Sequence, residues 1–90
     1  MRRIRAASEC WVDIFESDYF MGRMQRLFGP MDLTRLQAKS VIVGPRTTLE
    51  LSVRQGGKQS VVMIQPKKVV PVLAKSVVGA VTGARVRCLK

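Results

Sequence analysis

The sequence predicts an all-β chain folded as a two-sheet Greek-key β-sandwich. Three observations carry that expectation. Short segments with apolar residues at every second position recur along the chain, turn-forming Gly, Pro, Ser and Asp separate them, and one cycle of elements is traversed twice in ninety residues. Each cycle reads strand, turn, strand, crossing, strand. A long connection that returns the chain beside its first strand makes a Greek key, and two such units face to face make a sandwich.

The first cycle opens with CWVDIFE at 10–16, which places Cys10, Val12 and Ile14 on one face and Trp11, Asp13 and Phe15 on the other. SDYFMG at 17–22 supplies turn residues and a Gly able to take positive φ, and RMQRLFG at 23–29 returns as a strand closed by Pro30. MDLTRLQ reads as a short helical turn or an irregular crossing, because Asp32 and Thr34 are both good cap residues. KSVIVGP at 39–45 is the closing strand, ended by Gly44 and Pro45.

The second cycle starts at Thr47, where TLELSVR alternates Leu49, Leu51 and Val53. RQGGK turns the chain and QSVVMIQP returns to Pro66. KKVVPVLAKSVVGAVTG is the second crossing, since Pro71 does not sit in a central strand, and GARVRCLK alternates Val86 and Cys88 against Arg85 and Arg87. The chain thus reads as a single domain over 1–90, with a basic segment at 1–8, a first Greek key at 9–45 and a second at 46–90.

Composition excludes several functions. A hydrophobic fraction of 47% beside 24% charged residues argues for a folded core over disorder. The longest apolar run, VVPVLAKSVVGAV, is interrupted by Pro71 and Lys75 and is too short to span a bilayer as a helix. The absence of His removes imidazole bases, catalytic triads and most zinc sites, and Cys10 and Cys88 are too far apart in sequence for a paired-cysteine metal or redox motif. Gly56 and Gly57 precede one lysine with no hydroxyl residue directly after it, so no phosphate loop is present. A non-enzyme without a cofactor is expected. MRRIRAASEC starts like a secretion signal, but no apolar segment follows before Glu9 and Asp13, so the reading favours the cytoplasm, or a chain already processed.

FESDYFMGR, with an aromatic, a Glu, three variable residues, Phe20 and then Gly22-Arg23, resembles the folded hairpin that opens a Greek key in the βγ-crystallin family. The flanking CWVDIFE, RLFGP and KSVIVGP are similar to bacterial members, and the likeness covers residues 9–45. Over 46–90 it is weaker: the second hairpin lacks the aromatic and the Glu and keeps only Gly57 and Lys58, so the second motif is degenerate. The resemblance implies that Phe15 and Phe20 cover the hairpin beside Glu16, that Gly22 allows its tight fold, and that Ser40 hydrogen-bonds back onto it. It also raises calcium as a ligand, which many members hold through paired Asp or Asn residues and hydroxyls ahead of each closing strand. The corresponding segments here read RLQAKS and, near the second site, AVTGAR. Only Ser40 survives, Arg35 and Lys39 bring positive charge, and loss of the family calcium sites is the expectation. Asp13, Glu16 and Asp18 could hold a weak ion away from those sites, but an exposed acidic turn is the commoner reading.

Net charge is +10, and it is uneven: residues 51–90 hold eight basic side chains and no acidic one. Such a field concentrates anionic partners, and Arg54, Lys58, Lys67, Lys68, Arg85 and Arg87 are the candidate contacts, with Trp11 or Tyr19 as exposed stacking groups. Cys10 and Cys88 are expected either as a disulfide or as buried thiols, with thiols favoured by the cytoplasmic reading. The function expected is therefore a structural or interaction domain. The alternatives are a basic domain that binds nucleic acid or another polyanion, and a secreted toxin or protein inhibitor of the same fold. A homodimer through an apolar face left by the degenerate motif is also raised.

Overall fold

Strict alternation in the first segment folds as β1, Trp11–Phe15, and the chain returns as β2, Met24–Phe28. A 3-10 turn at Asp18–Phe20 lies between them. β3 is Met31–Leu33, β4 Ser40–Val43, β5 Thr47–Gln55, β6 Lys58–Ile64 and β7 Val69–Val70. One helical turn, α1, covers Leu73–Ser76 before the last strand, β8, Ala80–Cys88. The computed structural model describes residues 9–89, so the basic segment 1–8 and Lys90 lie outside the described residues.

Two four-stranded antiparallel sheets form, in the orders β2-β1-β4-β7 and β3-β8-β5-β6. The all-β, two-sheet expectation holds, with one correction of topology. Each Greek key does not build its own sheet: β3 of the first cycle pairs with β8, and β7 of the second pairs with β4. The two cycles exchange their third strands, and this ties the halves together by backbone hydrogen bonds as well as by the core.

That exchange also corrects the reading of MDLTRLQ. Met31 and Leu33 pack against the core while Asp32 faces out opposite Arg85, so the segment starts as a strand rather than a helical turn. Asp32 is drawn into pairing with a strand more than fifty positions later, which no local propensity reports, while Thr34 lies in the irregular stretch that follows. β8 likewise begins at Ala80 and not at Gly83, with a register shift between Ser52 and Val53 that lets β5 follow it.

The core lies between the sheets. Val12, Val41, Val43, Leu49, Leu51, Val53 and Val86 are each 2% exposed or less, and they come from the inward positions of β1, β4, β5 and β8. Ile64, Val70, Leu73 and Val77 close it at the crossing.

Cys10 and Cys88 are joined by a disulfide, with Cα atoms 5.4 Å apart. This replaces the expectation of buried thiols. Thr47 explains why they meet: it pairs with Cys88 in the β5–β8 ladder, and its buried hydroxyl accepts from Trp11 N–H at 2.9 Å and donates to the Glu9 carbonyl at 3.1 Å. Both neighbours of Cys10 are therefore held by the residue that faces Cys88.

Candidate functional site

The first hairpin is held by backbone and one buried hydroxyl. Glu16 N–H donates to Arg23 O and Ser17 N–H to Met21 O, both at 3.1 Å, which folds the loop back over the sheet. Ser40, fully buried at the start of β4, accepts from Phe20 N–H at 2.9 Å and donates to Ser17 O at 2.6 Å. Phe15 and Phe20 meet edge to face at 5.5 Å. Gly22 has φ +81°, and a Cβ there would lie 2.7 Å from Glu16 Cγ, so both the backbone conformation and the close approach require glycine. The five hairpin residues singled out in the sequence are thus brought together. The second hairpin is different: Gly56 and Gly57 take φ +58° and +83° in a two-residue turn, with no folded excursion.

The acidic residues of the first cycle do not form one cluster. Asp13 is only 5% exposed on β1, and Arg26 grips it with two bonds, Nε to Oδ1 at 2.7 Å and Nη2 to Oδ2 at 3.0 Å. The hydrogen bond to Asp13 raises the Arg26 pKa, with partial desolvation opposing it. The same guanidinium stacks 3.9 Å over the Trp11 ring. Trp11 is therefore covered by an intramolecular cation and is not an open stacking platform; Tyr19, 62% exposed, remains accessible. Glu16 and Asp18 are exposed as expected, and Asp13 is the exception.

The six candidate anion contacts separate into two groups. Arg85 Nε sits 2.8 Å from Asp32, and Arg87 Nη1 sits 3.3 Å from Glu50. Hydrogen bonding to Asp32, then the charges of Asp32 and Glu50, push the Arg85 pKa upward. Both arginines point outward as their alternation required, but first-half carboxylates occupy them. Arg54, Lys58, Lys67 and Lys68 are exposed and make no ion pair among the described residues. The pairing partners lie 53 and 37 positions away, so the uneven charge of the linear sequence overstated the free charge of the folded surface.

The loops ahead of β4 and β8 flank an open cleft of about 330 Å³ lined by Asp18, Lys39, Leu73, Val77, Gly79 and their neighbours. In the first loop, Lys39 N–H donates to Phe15 O, Lys39 O accepts from Leu73 N–H, and the Ser40 hydroxyl is fully engaged in the hairpin. AVTGAR at 80–85 lies within β8, and just as RLQAKS leads into β4, the six residues that lead into β8 are KSVVGA at 75–80. That segment holds no carboxylate either. Among the described residues no group of three or more His, Cys, Asp or Glu is placed to hold a metal ion.

A solved structure described as "Evolution of the eye lens beta-gamma-crystallin domain fold" superposes with a TM-score of 0.72, covering 91% of this chain and 89% of that chain at 15% identity. The fold is that of a βγ-crystallin domain. No family model and no curated protein matches the sequence. Within the βγ-crystallin fold, the folded first hairpin and its buried serine are where the resemblance placed them. No helix among the described residues is long and apolar enough to cross a membrane.

Proposed function

We propose that this chain is a non-enzymatic interaction domain of the βγ-crystallin fold that holds no calcium at the loops ahead of β4 and β8. The composition of those loops carries the reading. Calcium requires six to eight oxygen ligands, mostly carboxylates and carbonyls. The two hexapeptides contain no acid: Arg35 stands where the family pattern has an Asp or Asn, Lys39 where it has a hydroxyl, and Lys75 adds a third cation. The Cys10–Cys88 bridge favours an oxidising compartment over the cytoplasm, because thiols are kept reduced there.

A calcium titration followed by backbone amide shifts reads each loop separately. Residues 35–40 and 75–80 are expected to stay in place through millimolar calcium; a saturable shift confined to either loop would refute the reading.

Four of the six candidate contacts, Arg54, Lys58, Lys67 and Lys68, make no ion pair among the described residues, and they support a second reading, binding of nucleic acid or another polyanion. Each phosphate neutralised contributes about −0.9 to the slope of log K against log salt on duplex DNA. Four contacts predict a slope of about −3.6, or roughly a 100-fold loss between 50 and 200 mM salt. Lys68→Gln should reduce the slope by about one, whereas Arg85→Gln should leave it unchanged because Asp32 already occupies that guanidinium. Equal effects from both substitutions, measured by fluorescence anisotropy, would remove the distinction.

A further inference from the structure

We propose that β6 is an open docking edge that takes an extended, acidic-ended segment of a partner protein as a fifth strand of the second sheet. The proposal rests on the interaction-domain reading and names the surface and the partner chemistry.

β6 is the outermost strand of the order β3-β8-β5-β6 and bonds only to β5 among the described residues. The two-residue turn at Gly56-Gly57 makes Gln55 and Lys58 a hydrogen-bonded pair, so Lys58, Ser60, Val62 and Ile64 spend their N–H and C=O groups on β5. Gln59, Val61 and Met63 therefore aim theirs at the open side. At seven residues β6 is the longest edge strand; β2 has five, β3 three and β7 two. Natural edges are blunted by inserted charge, proline or bulges. Between Gln59 and Ile64 there is neither charge nor proline, and the register to β5 is unbroken. Val61 and Met63, 58% and 44% exposed, stand on the outer face beside that edge.

Charge selects the occupant. Lys58 opens the strand, Arg54 lies opposite Gln59, and Lys67 and Lys68 follow within four residues of Ile64. The acidic neighbour, Glu50 opposite Met63, is bound to Arg87 at 3.3 Å. An apolar edge with cations at both ends fits a strand with apolar residues at its centre and carboxylates at its ends. It disfavours a second copy, which brings another +10 of charge. Main-chain bonds give such strand addition its affinity, and alternate side chains give its selectivity.

The test uses the intact oxidised protein and a synthetic octapeptide of alternating valine and threonine with two glutamates at each end. Two further versions are N-methylated on alternate residues, so that in one frame the methyl groups face β6 and in the other they face away. The expected result is a tenfold or greater slowing of amide exchange at Gln59, Val61 and Met63. One N-methyl frame should bind at least tenfold more weakly, and the other unchanged. Val61→Pro, which removes an outward N–H and none of the bonds to β5, should also lose tenfold once its melt shows it folded. No protection at millimolar peptide, equal loss from both frames, or binding that a polyglutamate control matches would overturn the proposal. Peptide-independent protection with a doubled mass would overturn it in favour of a second copy. A negative result here with unmoved calcium loops removes this edge alone, whereas a calcium response removes the reading beneath it.

Discussion

Reduction of the Cys10–Cys88 bridge is expected to lower the melting midpoint by roughly 20 to 35 °C. The bridge closes a loop with a sequence separation of 78. On the chain-entropy model that constraint on the unfolded state is worth about 4.5 kcal/mol. For a domain of this size each kcal/mol moves the midpoint by about 4 to 8 °C. Total stabilities of small domains run only to about 5–15 kcal/mol, so the reduced protein should sit close to its unfolding threshold at body temperature. Calorimetry with and without reductant, and on the Cys10→Ser/Cys88→Ser protein, checks this. A shift under 5 °C would mean that Thr47 and the β5–β8 ladder already hold the two ends together without the bond.

Ser40→Ala is expected to cost about 2 to 4 kcal/mol, because it leaves the Phe20 N–H and the Ser17 carbonyl without their partner beneath the hairpin. Loss of the hydroxyl should free the loop selectively. Amide exchange at Phe20 should therefore accelerate far more than exchange in β5 or β8, in addition to a midpoint lowered by about 8 to 32 °C. Ser76→Ala, at an exposed position on α1, is the control and should change stability by less than about 0.5 kcal/mol. Uniform acceleration across both sheets in Ser40→Ala would place the serine's contribution in the global fold instead of the hairpin.

The pattern of what was legible in the sequence follows the range of the interactions. Alternation at 10–16 and the turn residues after it are local, and β1, the hairpin and β2 follow from them directly. The roles of Phe15, Gly22 and Ser40 were readable because one compact motif contains most of what they touch. β3 was not readable as a strand, since three residues gain their hydrogen bonds only from β8, and the exchange of third strands between the cycles has the same origin. Asp32 and Glu50 illustrate the limit for the surface. Their effect on Arg85 and Arg87 depends on cross-strand register, so counting charge by halves of the chain could not show that two of the six candidate cations are occupied. Alternation puts Cys10 and Cys88 on the apolar faces of the first and last strands; Cys10 is buried there, whereas Cys88 is exposed. Compartment is the only sequence cue to their oxidation state, whereas Thr47 links the two ends through hydrogen bonds and a ladder that exist only in the fold.

The loops ahead of β4 and β8 separate a calcium domain from an interaction domain built on the same fold, and a thermal melt in excess calcium against a melt in chelator reads that difference most directly. A ligand present at 100 times its dissociation constant adds about 2.7 kcal/mol to the folded state, which in a domain of this size raises the midpoint by about 10 to 20 °C. Coincident midpoints are the expected result, because neither RLQAKS nor KSVVGA holds a carboxylate. A clear rise in calcium, reversed by chelator, would contradict it and return ion binding to the centre of the protein's function.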